Sequence, residues 1–263
     1  MSTQVALGSP VLAAAKLSIG YGRRSVVADI GFELAAGSTL ALVGANGSGK
    51  STLLKTIAGL LPALFGSIHV FGKKPGSFPA RIAYLNQINS NQMMLPLRAI
   101  DIVRMARFSS IGLLGRATAD DKRIVRESME WMDVIGMANE PLSALSGGQR
   151  QRVFIAQALA HNARLLLLDE PETNLDAEGK AKYRAAVRAS IERGSVVVIA
   201  THDITEASRC DWAMLLAKKV VAFGPGCSVL TPETLLSAFG ITARMEEGKV
   251  VVVEREHGHE CGE

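Results

Sequence analysis

Along the chain, short uninterrupted apolar runs alternate with longer stretches of helical periodicity, and that alternation predicts an α/β sheet domain. TLALVG (39–44), RLLLLDEP (164–171) and SVVVIATHD (195–203) are runs apolar at successive positions, as in strands buried on both faces of a parallel sheet. SIHVFG (67–72) and RIAYLNQ (81–87) read as further strands, separated by the turn-rich KKPGSFP. KSTLLKTIAGL, QRQRVFIAQALAHN and AEGKAKYRAAVRASIERG read as helices, the last stopping at Gly194. From about residue 93 to 145 the strand signal disappears, and PLRAIDIVRMARF and DDKRIVRESMEWMDVIGM take its place as helices. Residues 88–162 are therefore expected to form a helical insertion within a domain spanning 11–240. Residues 1–10 then form a short extension and 241–263 a tail.

Composition narrows the setting. The 263 residues are 48% hydrophobic and 21% charged, enough for a full globular core. The net charge of +4 is spread along the chain with no basic block, which argues against a nucleic-acid partner. Cys210, Cys227 and Cys261 have neither disulfide nor metal spacing, which favours a reducing compartment. No apolar run approaches the ~18 residues of a membrane-spanning helix. MSTQVALGSP lacks the basic start and apolar core of a signal peptide. The expectation is a cytoplasmic chain whose involvement with a membrane comes through a partner.

The chemistry concentrates in three places. Gly44, Ala45, Asn46, Gly47, Ser48, Gly49, Lys50 and Ser51 match the phosphate-loop pattern G-x-x-x-x-G-K-[ST], with a strand before and a helix after. Glycines there let successive N–H groups turn toward an anion, and the helix N-terminus adds positive potential. Lys50 can reach terminal phosphates and the Ser51 hydroxyl can ligate Mg²⁺. RLLLLDEP delivers Asp169 and Glu170 to the end of a buried strand, where one carboxylate can hold Mg²⁺ and the other polarise a water. His202 ends the next apolar strand, within reach of a γ-phosphate if the two strands are neighbours. The plainer alternatives are a flexible loop, an acidic pair at a turn and a structural histidine.

A second glycine-bearing turn, LSGGQRQR (145–152), has no lysine yet opens a helix, so its N–H groups could bind phosphate without one. Taken with the phosphate loop, the chain resembles the ATP-binding cassette transport ATPases over about residues 11–240. The resemblance implies a phosphate-loop NTPase core with a mostly parallel central sheet, an N-terminal antiparallel β region and an inserted helical subdomain. It implies ATP contacts from Gly44 through Thr52 and an adenine-stacking role for Tyr21 in LSIGYG. Gln87 in AYLNQ maps to the family's glutamine loop, linking Mg²⁺ and the attacking water to the insertion; the preceding Asn86 departs from the usual proline. Ser51, Gln87 and Asp169 then form the Mg²⁺ set, and Glu170, His202, Gln87 and Lys50 the catalytic set. The signature residues Ser146, Gly147, Gly148 and Gln149 would close over ATP held by a second subunit, with Asp176 of TNLD communicating between the two sites. Glu172 is unusual for the family at its position.

The family also implies partners: a second ATPase subunit, most simply an identical one, an integral membrane permease docking on roughly 87–115, and an extracytoplasmic substrate-binding protein. MARFSSIGLLGR and VVAFGPGCSVLTPETL look most like the ATPases of bacterial manganese, zinc or iron importers, with ferric-siderophore and haem importers next. A soluble relative acting on nucleic acid or ribosomes would carry paired cassettes or a long coiled-coil insertion, and neither is present. In the tail, His257, His259 and Cys261 alternate in a way that could approach one metal ion; a charged fraying terminus is the simpler reading.

Overall fold

In the computed structural model, which describes residues 10–86, 97–112, 115–239, 242–246 and 249–253, the chain opens with two antiparallel strands. These are β1 (Leu12–Tyr21) and β2 (Arg24–Leu34), turning where Tyr21 faces Arg24. The next strand, β3 (Thr39–Val43), is buried at all five positions and leads through the glycine-rich loop into α1 (Lys50–Ala58). β4 (Phe65–Val70) returns to β1, giving a three-stranded antiparallel sheet of order β2-β1-β4. In β4 only Ile68 and Val70 are buried, the alternation of a sheet with one wet face.

β5 (Ile82–Leu85) begins the other side of the domain. Among the described residues four α-helices follow: α2 (Ala99–Met105), α3 (Phe108–Ile111), α4 (Ala119–Trp131) and α5 (Gly147–Ala160). β6 (Leu165–Asp169), α6 (Ala177–Glu192), β7 (Val196–Thr201) and α7 (Ile204–Ala207) come next. The chain then adds β8 (Trp212–Leu216), β9 (Val220–Pro225), α8 (Gly226–Val229) and α9 (Pro232–Phe239). A hairpin of β10 (Thr242–Glu246) and β11 (Lys249–Val253) occupies the first part of the tail.

The central sheet has the order β5-β6-β7-β3-β8-β9 and is parallel except where β9 runs back along β8. The mostly parallel sheet and the antiparallel N-terminal region agree with the expected fold class. The unbroken apolar runs have a simple cause. Alternate residues of β6 serve two different cores: Leu166 and Leu168 pack toward α5 and α6, while Leu165 and Leu167 pack toward α1 and the antiparallel sheet. Neither face of the strand tolerates a polar residue until Asp169, at its end. α6 stops as its sequence indicates, with Gly194 just beyond it at φ 85°.

Candidate functional site

The order of the sheet explains why distant motifs meet. β3 lies between β7 and β8, so the chain leaves it at a topological switch, where α/β sheets open a crevice at their carboxyl ends. The registers do the rest. Val43 lies beside Thr201 and Asp169 beside Ala200, which brings the phosphate loop, the two carboxylates and His202 to one edge.

Gly49 takes φ 112° at the cap of α1, and a side chain there would collide with Val27 Cγ2. Lys50 is buried (5% exposed), and its ammonium donates to the carbonyls of Gly44 at 2.6 Å and Ala45 at 3.2 Å. Burial lowers its pKa, and the nearby Glu170 and Asp169 carboxylates pull it back up. Asp169 is 2% exposed; burial raises its pKa, against a hydrogen bond from Ser51. Its Oδ2 is buried without a hydrogen-bond partner. An orphaned carboxylate oxygen beside a serine hydroxyl is a donor set suited to a hard divalent cation such as Mg²⁺.

Glu170 follows at φ 50°, a conformation that residues other than glycine adopt at a cost of about 1 kcal/mol. Its N–H donates to the Ala200 carbonyl at 2.8 Å, so the strained turn is fixed by the neighbouring strand. The turn aims the carboxylate across the strand ends: its Oε1 lies 3.8 Å from Nδ1 of His202, whose side chain is 72% exposed. Tyr21 is half exposed at the end of β1, a free aromatic face at the hairpin turn. Thr52 is buried within α1, where its carbonyl accepts from Thr56. Gln87 lies outside the described residues, as do His257, His259 and Cys261.

The LSGGQ turn is organised around its own helix. Ser146 Oγ accepts from the Gln149 N–H at 3.2 Å, and Gln149 Oε1 accepts from the Ser146 N–H at 2.8 Å, a reciprocal capping box. The S-x-x-Q spacing is the sequence signal that could have revealed this box. Around Gly147 there is open space, whereas a side chain on Gly148 would come within 2.9 Å of the Asn174 carbonyl. Asp176 caps α6 through the Gly179 N–H at 2.8 Å and accepts from Arg152 of α5 at 2.7 Å. Gln151, one turn into α5 and buried, donates to the Pro171 carbonyl at 2.8 Å. The helix that LSGGQ opens is thereby riveted to the loop that follows Asp169 and Glu170.

For two further residues the partners emerge only from the structure. Glu172 is buried and held by a two-pronged contact from Arg184, at 2.6 and 2.8 Å. Glu206 is buried on α7, accepts from the Tyr183 hydroxyl at 3.3 Å, and lines a hollow of about 250 Å³ shared with Glu170 and His202. Neither contact has a sequence spacing that would reveal it.

A family model described as ABC transporter matches residues 27–173. The chain is also 35% identical over 225 residues to the manganese transport system ATP-binding protein MntB of Bacillus subtilis, covering 85% of this chain and 90% of that one. This chain belongs to the ABC transporter family. It is an ATP-binding subunit, an ABC transporter ATPase. The ABC assignment extends to another relative, the iron(3+)-hydroxamate import ATP-binding protein FhuC of Bacillus subtilis, 34% identical over 245 residues and covering 89% of each chain. Among solved structures, an ATP-binding subunit of an ABC transporter superposes with a TM-score of 0.73 at 25% identity, covering 88% of this ABC subunit and 93% of that chain. No helix among the described residues is long and apolar enough to cross a membrane.

Proposed function

We propose that two copies of this chain close around two MgATP and drive import through a separate membrane permease. In this reading each phosphate loop holds a nucleotide that is covered by the signature turn of the other copy. One observation carries it: the turn at Ser146–Gly148 has its polar side chains satisfied within its own helix, opens to space at Gly147, and begins a 14-residue helix. Such a helix start offers N–H groups and positive potential to a phosphate its own chain does not supply.

The roles follow from position. Lys50 exchanges its two loop carbonyls for the β- and γ-phosphates, and the loop amides from Gly44 to Thr52 surround the same anion. Ser51 and the orphaned oxygen of Asp169 would hold Mg²⁺, with Gln87 as a third ligand. When bound, that ion neutralises charge shared between the β- and γ-phosphates. Glu170 polarises the attacking water and His202 contacts the γ-phosphate, both held to the strand ends by the sheet register. Tyr21 stacks on adenine, and Asp176 relays between the two sites through Arg152.

The partners are an identical second subunit, an integral permease that places this chain at the cytoplasmic face of the membrane, and an extracytoplasmic binding protein. The permease docks on the helical region, where α2, α3 and α4 leave an apolar hollow of about 400 Å³. Nucleic acid is not a partner, in keeping with the dispersed charge. The cargo is a divalent manganese, zinc or iron ion, supported by the likeness to the manganese system ATPase. A ferric siderophore or haem is the second reading, favoured by the nearly equal likeness to the hydroxamate system. Uptake of Mn²⁺, Zn²⁺, Fe²⁺ and ferric siderophore by a deletion strain separates the two.

The test of the motor is Glu170→Gln. The variant should bind ATP, hydrolyse it at least a hundredfold more slowly and accumulate as a dimer on gel filtration. A variant that stays monomeric with ATP and hydrolyses it normally removes the role given to Glu170.

A further inference from the structure

The far end of the signature helix is held as firmly as its start. Arg107, between α2 and α3, has a side chain only 12% exposed and joins three elements. Its Nε donates to Asp121 Oδ1 on α4 at 2.9 Å. Its Nη1 donates to the carbonyls of Ala160 and His161, at 3.0 and 3.3 Å, where α5 ends. Asp121 is fixed in turn: its Oδ2 accepts from the Thr118 hydroxyl at 2.7 Å and the Thr118 N–H at 2.9 Å. These Thr118 bonds, with the Arg107 guanidinium, hold its pKa down at about 2, so it stays ionised at neutral pH. The guanidinium thus lies between a carboxylate and the negative end of the α5 dipole. Ser109 adds a second tie from α3, with Oγ 3.3 Å from His161 Nε2.

The same arginine reaches the docking hollow. It lines that cavity together with Ile100, Phe108, Ile111, Val125 and Met129, and Phe108 is 62% exposed. A segment seated there meets Arg107 directly. Fourteen residues of α5, about 21 Å at 1.5 Å per residue, separate this joint from Ser146. α5 packs against both α2 and α4 along that length, and Gln151 and Arg152 fasten its first turns to the loop behind Glu170. A helix held at both ends moves as one body, so displacing its last carbonyls re-aims the signature turn.

We infer that Arg107 is a positioning residue that transmits permease docking to the signature turn, an inference that rests on the proposed pairing with a permease. It touches neither nucleotide nor cargo. It acts by fixing the C-terminal end of α5 to the surface the permease occupies. Arginine suits the post because its planar fork serves a carboxylate and two carbonyls together, which the single ammonium of lysine cannot.

The experiment compares wild type, Arg107→Gln and Arg107→Lys, each as isolated subunit and reconstituted with its permease in liposomes. In the isolated subunit, ATP affinity and basal hydrolysis should stay within about twofold of wild type. In the complex, Arg107→Gln should lose at least tenfold of the permease-dependent rise in kcat with KM for ATP within about twofold, and Arg107→Lys should recover part of it. A clamp that only stabilises the fold would lower Tm and leave the permease-dependent kcat untouched, and that result overturns the inference. If Arg107→Gln does not fold, Asp121→Asn removes the other side of the joint, and undiminished permease-dependent kcat there overturns it equally. If wild-type hydrolysis does not respond to the permease at all, the motor reading itself fails, and the inference about Arg107 falls with it.

Discussion

Glu206→Gln is expected to make the protein more stable at alkaline pH while changing it little under acidic conditions. Glu206 is 5% exposed on α7, with the Tyr183 hydroxyl of α6 and Thr201 of β7 against it. Burial raises its pKa from the ordinary 4.5 to about 7, and the nearby carboxylates of Glu172 and Asp203 push in the same direction, against hydrogen bonds from Thr201 and Tyr183. The folded state therefore keeps a proton that the unfolded chain gives up above 4.5. Stability contributed by this group falls as pH rises from 4.5 through about 7 and is level beyond. Relative to the unfolded chain, whose carboxyl ionises freely, the raised pKa costs roughly 3 kcal/mol of stability at pH 8 but about 1 kcal/mol at pH 5. The amide that replaces the carboxyl cannot ionise, and loses about 1 kcal/mol through a poorer hydrogen bond. The net expectation is a gain of about 2 kcal/mol at pH 8, a Tm rise of roughly 4–8 °C, and no gain at pH 5. Urea melts of the nucleotide-free protein at the two pH values measure this directly. Parallel stability-against-pH curves for variant and wild type would refute the argument, because every other titrating group is common to both.

The signature glycines should separate cleanly. Gly147→Asp enters open space, so it should fold and bind ATP as a monomer yet lose hydrolysis, measured by phosphate release and equilibrium dialysis. Gly148→Ala instead meets the Asn174 carbonyl and should lower stability by about 1–3 kcal/mol in the same urea assay. Tyr21→Ala should weaken ATP by about 1–3 kcal/mol while leaving inorganic triphosphate unaffected, as read by isothermal titration; equal loss for both ligands would remove the stacking role.

What could be read in advance was whatever a short segment carries by itself. Lys50 and Ser51 were legible because the phosphate loop comes with its own strand and helix, and Asp169 because four leucines announce a buried strand. The meeting of Asp169 with His202 was legible only as a condition, since it depends on β6 and β7 being neighbours, and register is a property of the whole sheet. The strain at Glu170 left no local trace: a glutamate at φ 50° is held there by the Ala200 carbonyl of the neighbouring strand, not by its own preference. Glu172 looked merely unusual until Arg184, a residue of the next helix, closed on it. Arg107 lies in the family-like segment MARFSSIGLLGR, and its chemistry appeared only when α5 ended beside it.

The sheet order has a consequence for how the chain is made. β3 is the middle of the sheet, yet its partners are β7 and β8, with Thr39 waiting for Val197 and Leu40 for Trp212. During synthesis the most apolar strand of the N-terminal third emerges long before either neighbour exists. Both of its edges then expose unpaired N–H and C=O groups, which favours association with other chains. Closing so distant a pair is slow, because loop entropy must be overcome before any contact rewards it. A chain stopped before residue 196 carries the whole phosphate loop but neither neighbour of β3, and it is expected to aggregate or be degraded rather than to bind nucleotide.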